Sequence, residues 1–311
     1  MQRLEQFFSL LNMAGIDSAV LNDRTKAHVV LDGQILLSHQ EIPGVTMTIE
    51  DKHEVLTAEI TIVRDNAVSN PIHLCFGLLQ AIGRQRVSLH ICVEPCAKVH
   101  FIAHGVFANA DDVRHAMEKT IEVGEGADVY FTDSHIHGMS GNMKVISSGQ
   151  VTVGKKARYR SDFSLTTGRV GRLDLKESIV ADDYAIVELV SRVFGHGTDL
   201  ININEAVSLN GQFSRSIIKS RVALEGQARA DIVSMTEGRA EGARGHMDCM
   251  EIIKDTAVGQ STPIVKVSHP LAKITHEAAI GTVDKKQMET LICHGLSPEQ
   301  ATDMIVLGML R

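Results

Sequence analysis

The sequence predicts a mainly β fold, a parallel β-helix (solenoid) with an N-terminal helix and a C-terminal helical hairpin. Three observations carry that expectation. Apolar and polar residues alternate with period two along most of the chain, the pattern of half-buried strands. A short signature, an Ala after a turn and before an alternating run, recurs at Ala97, Ala127, Ala157 and Ala185, in steps of 30, 30 and 28 residues. Trp is absent and aromatics make up 4%, so branched aliphatic side chains must fill the core, which suits narrow stacked strands.

The elements follow in chain order. Leu4, Phe7, Phe8 and Leu11 recur at helical spacing, and Gly15 is a natural stop. Alternation marks strands at 45–49, 56–62, 87–93, 99–103, 151–153, 179–189 and 201–204. A second short helix is expected at 110–119, with Asp111 or Asp112 near its start. From about 121 to 267 strand follows strand with no helical spacing between them. Ala228 and Ala257, 29 residues apart, extend the repeat signature. Such a period signals stacked units that cannot bury their own faces alone, each supplying two or three short strands.

The last segment changes character. Asp284 with Gln287 three residues on resembles a capping box, and Gly295 ends that helix. Ser297, Pro298 and Gln300 then open a second helix. The division expected is 1–95 for the N-terminal helix and leading strands, 96–283 for the β-helix core and 284–311 for the hairpin. The final turn is apolar nearly all round, either core or a docking face; Met304, Ile305, Leu307 and Met309 are its partner-binding candidates.

Composition narrows the function classes. A chain of 311 residues buries a sizeable core without disulfides or metals. Net charge −7 argues against a nucleic-acid or anionic-membrane partner. No run reaches the roughly 18 apolar residues of a membrane helix, and residues 1–11 lack a secretory signal. Five scattered cysteines fit reduced thiols, so a cytoplasmic location is expected. There is no Walker A loop, no dinucleotide fingerprint and no nucleophile elbow, so the chain is expected neither to bind ATP by itself nor to be an enzyme.

Few residues suggest chemistry on their own. Cys92 and Cys96 lack further ligands nearby. His135 and His137, two apart on a strand, share a face and could share a metal, or simply lie on a solvated face. Cys249, beside His246 and Asp248, is either an activated thiol or a small buried residue. His276-Glu277 pairs an imidazole with a carboxylate just ahead of the hairpin.

Several segments together resemble a known family. They are Ser214-Arg-Ser-Ile-Ile-Lys-Ser-Arg-Val-Ala-Leu, Gly238-Arg-Ala-Glu-Gly-Ala-Arg-Gly-His-Met-Asp-Cys, Thr262-Pro-Ile-Val-Lys-Val and Thr275-His-Glu-Ala-Ala-Ile-Gly. Gln287 to Gly295, Ser297-Pro-Glu-Gln-Ala and Met304-Ile-Val-Leu-Gly complete the series, and Asn70-Pro-Ile-His-Leu also matches. In order and spacing these blocks resemble the core of the SufB/SufD family, strongly over the last third and diffusely before it.

The resemblance implies a right-handed parallel β-helix that acts as an iron–sulfur cluster assembly scaffold. It implies pairing through the β-helix, as a homodimer or with a SufB/SufD-type paralogue, and binding of a SufC-like ABC ATPase through the C-terminal helices. It implies a transient iron–sulfur cluster as cargo, with His276 and Glu277 matching the family's cluster-binding His-Glu and Cys249 matching a family cysteine. Two departures stand out: Ala257 occupies the place of a functional cysteine, and the chain is shorter than typical members.

Overall fold

The computed structural model describes residues 2–52 and 54–311. It opens with α1 (Gln2–Met13) and a short 3-10 turn, Ser18–Asn22. The leading strands are β1 (His28–Asp32), β2 (Ile35–Gln40), β3 (Val45–Lys52), β4 (Val55–Ile62) and β5 (Ile72–Gly77). Next come β6 (Ile82–Val93), β7 (Lys98–Phe107), β8 (Asp112–Val123), β9 (Asp128–His137), β10 (Met143–Val153), β11 (Arg158–Thr167) and β12 (Arg172–Ala181). The series continues with β13 (Ile186–Gly195), β14 (Leu200–Leu209), β15 (Arg215–Leu224), β16 (Arg229–Gly238), β17 (Arg244–Ile253), β18 (Val258–Val267) and β19 (Lys273–Gly281). Helices α2 (Lys285–Cys293) and α3 (Pro298–Met309) close the chain.

Consecutive strands alternate between two sheets. The first runs β19-β17-β15-β13-β11-β9-β7-β5-β1-β2 and the second β18-β16-β14-β12-β10-β8-β6-β4-β3. Among the described residues, β1 with β2 and β3 with β4 are the antiparallel ladders and the others are parallel. The result is the expected parallel β-helix, of about eight turns. Parallel pairing of β1 with β5 and β4 with β6 shows the winding under way before residue 96. No helix among the described residues is long and apolar enough to cross a membrane.

The alternation works as the strand period requires: in β9, every second residue is buried between the sheets. Phe101 and Phe131 point inward on adjacent rungs, their rings tilted with centroids 6.0 Å apart, within a continuous aliphatic core. The recurring Ala fills a tight corner. Ala97, Ala127, Ala157 and Ala185 each immediately precede a strand of the first sheet and are fully buried. Ser214 and Ala243 continue that column, whereas Ala228 and Ala257 form its counterpart before β16 and β18. A positive φ one residue before the corner recurs at Cys96, Gly126, Lys156, Tyr184, Phe213 and Gly242, setting each sharp turn.

Two local expectations are corrected. Residues 110–119 form no helix but most of β8, whose inward row includes His115 and Lys119 as well as Val113, Met117 and Ile121. Polar groups on the buried side hid the strand alternation. The alternating run at 179–189 is not one strand: a corner at Asp182–Asp183–Tyr184 divides β12 from β13.

Both ends carry helices on the outer face of the first sheet. Phe7, Leu10 and Leu11 of α1 bury against Val30, Cys75 and Val106. At the other end, Val306 and Leu310 pack on Phe194, Ala223 and Ile252, which lie side by side on β13, β15 and β17. The caps match the sequence: Asp284 accepts from the Gln287 N–H, and Ser297 with Gln300 forms a complete capping box behind Pro298.

Candidate functional site

The two ends of the solenoid differ. Antiparallel β2 and β3 close the first turn, while β18 and β19 leave the last one open. At the inward positions equivalent to buried Gly245, Met247, Cys249 and Glu251 of β17, Ile274 of β19 is half-buried and His276, Ala278 and Ile280 are exposed. His276 continues the inward row above Met247, and Glu277 continues the outward row above Asp248. Neighbours in sequence thus occupy opposite faces of an exposed edge strand.

Cys249 lies one rung below, next to Ala278 and turned inward. It is buried and its thiol stands 3.7 Å from the Ser234 hydroxyl. Burial pushes the thiol pKa up, with a further push from Glu205 and Glu251. His246 and Asp248 face the other way. His246 Nδ1 is 2.9 Å from the Thr275 hydroxyl, and Asp248 pairs with Arg221, which holds its carboxyl below the usual range. Neither side chain activates the thiol. Ala257 is the corner residue before β18.

Cys249 ends an internal polar file. On the first sheet the central inward row reads Asp133, Phe163, Ser191, Ser220, Cys249 and Ala278. On the second it reads Lys119, Gly149, Glu177, Glu205, Ser234 and Pro263. Glu177 gathers Lys119 Nζ at 3.4 Å, the Tyr159 hydroxyl at 2.9 Å and the Ser161 hydroxyl at 3.3 Å. Burial, reinforced by Glu177, pushes Glu205 up to about 8, so it can be held as the neutral acid. Sequence reading missed these groups, although they recur with the same near-30-residue period as the corner Ala.

His135 and His137 do share a face, and it is the interior. His135 Nδ1 lies 3.3 Å from His137 Nε2, and His135 Nε2 lies 3.4 Å from Asp133 Oδ1. His115, 5.8 Å away between ring centroids, bonds Gln85 at 2.9 Å. Burial drives the pKa of His137 well below the usual value and that of His115 to about 3, so both are neutral. Among the described residues no three His, Cys, Asp or Glu side chains come together as a metal-ligand set.

The apolar residues of α3 divide. Ile305 and Met309 are partly buried against the solenoid, whereas Met304 and Leu307 are 52% and 48% exposed. Helix α2 has no buried residue. Cys92 lies on β6, and Cys96 is exposed at the corner before β7.

Comparison with known proteins is consistent along the chain. The family model described as SUF system FeS cluster assembly, SufBD core domain, matches residues 80–309. An iron-sulfur cluster assembly SufBD family protein of Methanocaldococcus jannaschii is 34% identical over 282 residues, 91% of this chain and 89% of that one. One from Pyrococcus horikoshii is 33% identical over 306 residues, 98% of this chain and 93% of the relative. Iron-sulfur cluster assembly protein SufB of Bacillus subtilis matches at 33% over only 74 residues, 24% of this chain and 16% of its own. With this fold and these matches, the chain belongs to the SufBD family of iron–sulfur cluster assembly proteins.

Proposed function

We propose that this protein is a scaffold subunit that pairs through β19 and presents His276 and Glu277 at the seam, where an iron–sulfur cluster is assembled as cargo. The observation that carries this reading is the unequal chemistry of the two free edges. Lys273 N–H bonds Ala243 O, so by strand alternation Ile274, His276, Ala278 and Ile280 direct their backbone groups outward. On β18 the Val258 N–H bonds Ala228 O, so Gly259, Ser261, Pro263, Val265 and Val267 face the free edge. Pro263 has no N–H and interrupts that row at its centre.

Strand addition is therefore supported at β19 and opposed at β18. A two-fold partner, a second copy or a paralogue, would satisfy the β19 edge and cover exposed Ile280. It would also bring a second His-Glu pair to the seam, which compensates for the split of His276 and Glu277 between faces. Imidazole and carboxylate are competent iron ligands. The outward side of α3, with Met304 and Leu307, is the proposed seat of a SufC-like ABC ATPase, whose nucleotide cycle would shift the seam between states.

A second reading has its own support. Ala257 replaces a thiol, and Cys249 is buried with a raised pKa, so the subunit could serve as a structural partner whose paralogue holds the cluster. Co-expression with an ABC-type ATPase, anaerobic purification and addition of iron and sulfide separates the two. Visible charge-transfer bands that fall with His276→Ala support the scaffold. A colourless complex that still holds the ATPase supports the structural partner, and loss of co-purification removes the ATPase assignment.

A further inference from the structure

The outer faces of both sheets carry exposed cations, and the longest row of adjacent ones is on the second sheet. On the first sheet three arginines meet acids on neighbouring strands: Arg160 meets Glu188 at 2.7 Å, Arg192 pairs with Asp162, and Arg221 with Asp248, whereas exposed Arg215, Arg244 and Lys273 stand in a row and make no ion pair with a described residue. On the second sheet Arg84, Arg114, Lys144 and Arg172 stand directly beside one another on β6, β8, β10 and β12. All four are exposed, and Arg86 lies two residues along the same outward face. Arg172 is held by Asp174 at 2.6 Å. Arg84, Arg86, Arg114 and Lys144 make no ion pair with a described residue.

Like charges directly opposite one another destabilise a sheet, so folding does not favour this ladder. It also sits in a chain of net charge −7, where acids to neutralise it are plentiful. A shallow depression of about 370 Å³, lined by Arg84, Arg86, Arg114 and Glu118 with Ala116 and Ile146, adjoins it. The ladder lies on early turns of the solenoid, on the sheet opposite the one that carries α3 and far in sequence from β19.

We propose that this ladder is a docking surface for an acidic α-helix of a partner protein, laid across the strands. Rungs of a sheet repeat at roughly 4.8 Å, and turns of an α-helix at about 5.4 Å. One carboxylate per turn therefore keeps step with the cations over the roughly 14 Å from Arg84 to Arg172. A long polyanion fits less well, because Asp112, Glu118 and Asp174 flank the row and would repel it wherever it ran past the cations.

The test uses the full chain and a fluorescent helical peptide with one glutamate per turn over about four turns, followed by fluorescence anisotropy at low salt. Binding is expected, weakened about tenfold or more in Arg84→Glu/Arg114→Glu/Lys144→Glu and strongly reduced by salt, as exposed ion pairs require. Equal binding by the triple variant overturns the proposal. So does equal binding of a scrambled peptide of the same composition, or tighter binding of a single-stranded oligonucleotide or anionic phosphatidylglycerol vesicles at the same residues. Arg114→Gln supplies an independent readout: its melting temperature should hold or rise as repulsion is relieved, and a clear fall would mark the ladder as structural.

Discussion

At the residue scale, the interior is governed by groups whose titration is set by burial. Glu205 is raised to about 8 by desolvation and by Glu177. Between its ordinary value of 4.5 and about 8 the folded chain keeps a proton that the unfolded chain has released. That contribution is complete below pH 4.5 and is lost as pH rises toward 8. Glu205→Gln should remove this loss, so urea midpoints at pH 8 should exceed those of the unaltered protein, with the gain vanishing near pH 4.5. The histidines act in the opposite sense. Burial lowers His104 to about 4 and His115 to about 3, so their contribution is present above 6.5 and is lost as pH falls toward those values.

At the element scale, the C-terminal helices are the least anchored part of the fold. No residue of α2 is buried, and α3 touches the solenoid through Ile305, Val306, Met309 and Leu310. At the start of α3, where Ala301 is fully buried, the capping box adds local hold. Ser297→Ala should lower local stability by about 1 kcal/mol. Hydrogen exchange should show faster amide exchange in the first turn of α3, with β6 to β17 unchanged. Unaltered protection there would mean that packing, not the cap, holds the helix start.

The same scale explains which elements could be read beforehand. The caps at Asp284 and Ser297 were legible because capping depends on neighbours three residues apart. Strand β8 was not, because His115 and Lys119 occupy inward positions normally filled by apolar residues. Only the stacked rungs above and below make those positions tolerable, through Gln85 and Glu177. The corner column was partly legible: Ser214 breaks the run of Ala without changing its place in the fold.

At the scale of the whole molecule, one closed end and one open end give the solenoid a direction. A substitution of the edge itself tests the proposed pairing. The Ala278 N–H faces the free edge, whereas the Ala279 N–H belongs to the ladder with β17, as the Lys273–Ala243 bond sets the alternation. Ala278→Pro should dissociate a paired form in sedimentation velocity while changing the melting temperature little. Ala279→Pro removes an internal hydrogen bond and should destabilise the last turn. A pair that survives Ala278→Pro would move the interface elsewhere.

The sequence by itself determined the repeat, most of the strands, the terminal helices and the family, because period-two burial, tight corners and capping are local rules. Tertiary structure alone decided what the chemical candidates face. Alternation on β19 sends His276 and Glu277 to opposite sides, burial raises the pKa of Cys249, and winding turns His135 and His137 into the interior. It also aligned residues some 30 positions apart into the internal polar file and the outer basic ladder. Those alignments arise from register between turns, a long-range property that no short window of sequence contains.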